Sequence, residues 1–76
     1  MIEPLPYSEA DILGIFEAIV EATRRFGHVE PYSMLVGIRS QFPAVTHDHF
    51  DEMIKRLHVV GKIIIGSDGL LYRSAS

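Results

Sequence analysis

The residues best placed for chemistry are His47-Asp48-His49, which set two imidazoles and a carboxylate in three consecutive positions. Both side-chain types ligate zinc, so the triplet raises the question of a metal site. On a helix, however, side chains at i and i+2 point apart, whereas helical metal pairs use i,i+3 or i,i+4. The triplet reads as solvated histidines beside a helix start, and no metal is expected. His28 and His58 stand alone in the sequence and read as surface or partly buried polar contacts. Serine, histidine and aspartate formally permit a nucleophilic triad, but a triad needs a rigid pocket with an oxyanion hole. Neither a nucleophile elbow nor a phosphate-binding glycine loop occurs, and Gly66-Ser67-Asp68-Gly69 is explained by turn chemistry. The chain is expected to be non-enzymatic, without cofactor or small-molecule substrate.

Polyanion binding is the remaining chemistry. Seven Lys and Arg against ten Asp and Glu leave a formal charge of −3, so only an asymmetric placement of the cations would attract nucleic acid. Arg24 and Arg25 complement the end of a helix. Lys55 follows Asp51 by four positions and Arg56 follows Glu52 by four, the spacing of intrahelical ion pairs.

The 76 residues make one domain at most, and a chain of this size hides only about 60% of its unfolded surface. There is no cysteine, so neither disulfide nor thiolate site contributes, which is the usual condition of intracellular proteins. No apolar run is long enough to cross a bilayer and the first residues do not read as a signal peptide, so the cytoplasm is the expected location and no membrane partner is expected.

The elements that position these groups follow from apolar spacing and caps. Residues 1–7, with prolines at 4 and 6, read as an extended arm ahead of a single domain over 8–76. Ser8 caps a first helix with Asp11 at the third helical position; Ile12, Phe16, Ile19 and Thr23, joined by Leu13, Ile15, Val20 and Phe26, form a wide inward stripe that ends at Gly27. His28-Val29-Glu30 allows a short strand. Pro31 opens a second helix, from about Tyr32 to Gln41, with Leu35, Ile38 and Phe42 on one face; Pro43 ends it. Thr46 caps a third helix that turns Phe50, Met53, Ile54, Leu57 and Val60 inward and stops at Gly61. Ile63-Ile64-Ile65, the glycine-flanked tip and Leu70-Leu71-Tyr72-Arg73 then read as a hairpin. The expected fold is α+β and mostly helical, with a three-helix bundle carrying an incidental hairpin as the competing architecture.

The order helix, short strand, helix, turn, helix, hairpin resembles the winged helix-turn-helix family. The phrase Phe50-x-x-x-Ile54-x-x-Leu57-x-x-x-Gly61-x-Ile63 looks like that family's junction between recognition helix and wing. The resemblance spans about Ser8 to Arg73 and extends to small winged-helix modules of DNA-associated proteins. It implies a DNA-binding module of transcription or replication, its third helix in the major groove and its hairpin tip on the backbone. His47, His49, Lys55, Arg56 and Lys62 are the corresponding contacts to double-stranded DNA. Asp48, Asp51 and Glu52 lie in the same segment and oppose a polyanion. The alternative is a protein-interaction or dimerisation module that docks through the arm and hairpin, with Ile2, Leu5, Ile64 and Leu71 as its outward apolar contacts.

Overall fold

The computed structural model describes residues 7–74. The arm expected over 1–7 therefore lies outside the described residues except for Tyr7, as do Ile2 and Leu5.

Side-chain caps define where each helix begins. Ser8 accepts a hydrogen bond from the Asp11 amide at 3.1 Å and opens α1, Glu9–Phe26. After the strand β1, His28–Val29, the Glu30 carboxylate accepts from the amides of Tyr32 and Ser33 and opens α2, Pro31–Gln41, with proline in its first turn. Thr46 accepts from the His49 amide at 3.2 Å and opens α3, His47–Val59. That helix closes in a Schellman arrangement: the Lys62 amide donates to the Leu57 carbonyl and the Gly61 amide to that of His58, with Gly61 at φ 79°. The closure turns the chain directly into β2, Ile63–Ile65, and the tip returns it as β3, Leu71–Arg73.

The three strands form one antiparallel sheet in the order β1-β3-β2. The hairpin is thus no incidental appendage, because its second strand is bonded to the short strand that follows α1. Among the described residues the fold is α+β and mostly helical, three helices with this small sheet. α1 packs on β1, β3 and α2, and α3 packs on β2. One core results, built from Ile15 and Ile19 of α1, Leu35 and Ile38 of α2, Val45, Phe50, Met53, Ile54 and Leu57 around α3, and Ile63 and Leu71 of the sheet. Thr23 is fully buried with them because its hydroxyl donates to the Val20 carbonyl.

Four expectations require correction. Leu71 is buried, not outward: the register pairs Leu71 with Ile65 and Tyr72 with Ile64, so Leu71 shares the inner face with Ile63, and Tyr72 and Ile64 take the outer one. Leu71 is therefore withdrawn as a docking contact, while Ile64 is exposed as expected. Leu13, Phe26 and Val60, assigned inward, are 58%, 66% and 66% exposed. A helix packed on one layer buries only one stripe, and Ile12, Ile15, Ile19 and Thr23 already fill it in α1. Phe26 instead lies beneath the Arg25 guanidinium, 5.7 Å from its ring.

Two substitutions test this packing. Truncating Ile19 to Ala should cost about 3 kcal/mol, a large share of the about 4–11 kcal/mol expected for a chain of this length, read as a lowered urea midpoint. At Gly66 a Cβ would stand 2.5 Å from the Tyr72 ring and 2.6 Å from the Asp68 carboxylate. Gly66→Ala is expected to destabilise by about 1–3 kcal/mol through that overlap, and an unchanged midpoint would contradict the tip geometry.

Candidate functional site

The start of α3 holds the two histidines apart. The Tyr7 hydroxyl donates to the Ala44 carbonyl at 2.7 Å and lies 2.9 Å from His49 Nδ1, with the two rings edge to face at 5.4 Å. A phenol has one proton. With it committed to Ala44, His49 donates from Nδ1, a contact that neutral imidazole and imidazolium both make. Desolvation raises the Tyr7 phenol above its ordinary value. His47 turns the other way and stacks obliquely on Tyr32, ring centres 5.9 Å apart. The pair thus serves two different elements, α2 and the segment before α1, as the i,i+2 spacing requires. Among the described residues no group of three or more His, Asp and Glu side chains gathers to hold a metal.

The five residues matched to DNA contacts are dispersed. His47 is exposed and His49 half-buried at the start of α3, and Lys55 is exposed on the solvent side of the same helix. Arg56 and Lys62 lie elsewhere, on a groove they share with Arg24 of α1. Arg56 bonds Glu52 at 3.4 Å, the expected i,i+4 pair; Asp51 and Lys55, expected to do likewise, form no ion pair among the described residues. The residues of α3 open to solvent are His47, Asp48, Asp51, Lys55, His58 and Val59, which is 82% exposed. One lysine faces outward among them.

A groove, an open space of about 910 Å³, lies between α1 and the C-terminal end of α3. Its floor is apolar, from Phe16, Val20 and Leu57, and Leu13 and Val60 form exposed apolar shoulders. Glu17, Glu21, Arg24, Arg56 and Lys62 also line it. Sequence reasoning missed this site because it counted Leu13 and Val60 as core. The signal was present in α1, where Leu13, Phe16 and Val20 make a second apolar stripe beside the buried one.

The hairpin tip is a closed local network. Asp68 accepts from the Leu70 amide at 3.0 Å and from the Tyr72 hydroxyl at 2.5 Å, and the His28 ring lies 5.8 Å from that of Tyr72. The Tyr72 hydroxyl, followed by the Leu70 amide, holds the Asp68 carboxyl below its ordinary value of 3.8, and Asp68 in turn raises the Tyr72 phenol above 10.0. The depressed carboxyl contributes stability above its unfolded value, lost as pH falls through its lower folded value. The raised phenol contributes below its unfolded value, lost as pH rises through its higher folded one. Asp68→Asn is expected to bring the Tyr72 phenol down toward 10.0, followed by phenolate absorbance. An unshifted titration would show that the carboxylate does not hold that proton.

Comparison of the chain with protein-family models, curated proteins and solved structures returns no match.

Proposed function

We propose that this chain is a winged helix serving as a non-enzymatic protein-interaction module, with little affinity for duplex DNA. The element order and the sheet order β1-β3-β2 support the winged-helix reading: the β2–β3 hairpin is the wing, and α3 follows α2 as the second helix of a helix-turn-helix. The observation that carries the functional half is the exposed surface of α3. It offers Lys55 against Asp48 and Asp51, with Val59 open beyond them. A surface that approaches phosphates needs the opposite balance, since phosphate neutralisation supplies most of non-specific affinity. The tip that would follow the backbone, Gly66-Ser67-Asp68-Gly69, carries a carboxylate and no cation. Apolar side chains stand where partners dock instead: Leu13 and Val60 on the groove, Ile64 on the outer face of an edge strand.

The second reading is the duplex-binding module, favoured by the element order, with His47, His49, Lys55, Arg56 and Lys62 as contacts. A titration of labelled duplex across salt concentrations separates the two. The interaction module shows no saturable binding even at about 50 mM salt. A duplex reader with three or four phosphate contacts shows binding whose logarithm falls with a slope of about −3 to −4, weakened by Lys55→Ala with Arg56→Ala; that result would overturn the proposal.

A further inference from the structure

We propose that the groove between α1 and the end of α3 seats a second copy of this chain, the two α1 helices crossing antiparallel about a two-fold axis. This rests on the interaction-module reading and names its partner.

The groove has the chemistry of a half-interface. Leu13 and Val60 are exposed by more than half of their surface beside the half-buried Phe16 and Val20, so apolar area continues outward from the core. Gly14 and Ala18 also line it, one turn apart on α1.

Charge selects the occupant. Along α1 the lining runs from Glu17 and Glu21 to Arg24, with Lys62 alongside, and among the described residues none of these four is in an ion pair. Glu17 and Arg24 are separated by seven positions, about 10 Å along the helix. A two-fold axis between them reverses the second helix and brings each copy's Glu17 beside the other's Arg24, twice over. A parallel pairing would set acid on acid and cation on cation. At Glu17 and Arg24 the surface is therefore complementary to itself under the operation that defines an isologous dimer, with Glu21 left beside its own copy at the axis. Arg56 adds little, because Glu52 already engages it.

The test is sedimentation of the full chain over a concentration series, with two charge variants. The chain should pass from monomer to dimer. Glu17→Lys with Glu21→Lys makes the groove wholly basic, and Arg24→Glu with Lys62→Glu leaves Arg56, already paired with Glu52, as its remaining cation. All four positions are exposed, so circular dichroism should be unchanged. Each variant alone should dissociate at least roughly tenfold more readily, about 1.4 kcal/mol, and an equimolar mixture of the two should recover the dimer. A chain that stays monomeric at every concentration overturns the self-pairing and leaves the groove to residues 1–6 or to a foreign segment. A mixture no tighter than its components overturns it as well. A monomeric chain that also ignores duplex DNA leaves the interaction-module reading standing, so the two failures are distinct.

Discussion

β3 is the strand on which closure of the chain depends. It lies between β1 and β2, and the Arg73 amide donates to the Gly27 carbonyl at 3.0 Å, so the end of β3 is bonded to the point where α1 stops. Bringing those ends together costs loop-closure entropy, and only burial offsets it. Leu71 supplies that burial beneath α1, with Ile63 beside it from β2. If β3 slipped by one residue, Tyr72 would face the core and Leu71 the solvent. The Asp68–Tyr72 bond, the close fit at Gly66 and the fixed exit from α3 at Gly61 all work against that slip.

The same arrangement determines what remains exposed. α1 spends its innermost stripe on the sheet and α2, and α3 turns its own inward toward β2 and the common core. A groove separates the two helices at the end of α3, and the second stripe of α1 is left open beside Leu57 and Val60. Among the described residues there is no further element to cover it. The apolar groove is a consequence of closing a small core around a three-stranded sheet, and its charged margin gives that surface a direction.

Much of the architecture was legible because it rests on local chemistry. Ser8 and Thr46 cap, Gly61 stops a helix, and Ile63-Ile64-Ile65 favours a strand; all four readings depend on neighbours in sequence. Glu30 was missed as the cap of α2 because carboxylates one methylene longer than Asp are uncommon there, and Pro31, directly after Glu30, drew the boundary instead. Leu71 was misplaced because strand register depends on how the tip folds, and adjacent leucines at 70 and 71 allow either face. Leu13 and Val60 were misplaced because hydrophobicity states a preference for burial without saying how much partner surface exists. The dispersal of Lys55, Arg56 and Lys62 follows from helical geometry: consecutive residues on α3 diverge, and Arg56 turns toward α1 while Lys55 does not.

On the proposed reading, this domain recognises protein through the outer face of α1 and not duplex through α3. Amide chemical shifts of the full chain, followed over a concentration series and then with added duplex, test that claim most directly. Shifts that move with concentration over Leu13 to Arg24, Val60 and Lys62, and stay still on adding duplex, are the expected result. Shifts insensitive to concentration, but moved by duplex across His47 to Lys55, would contradict it.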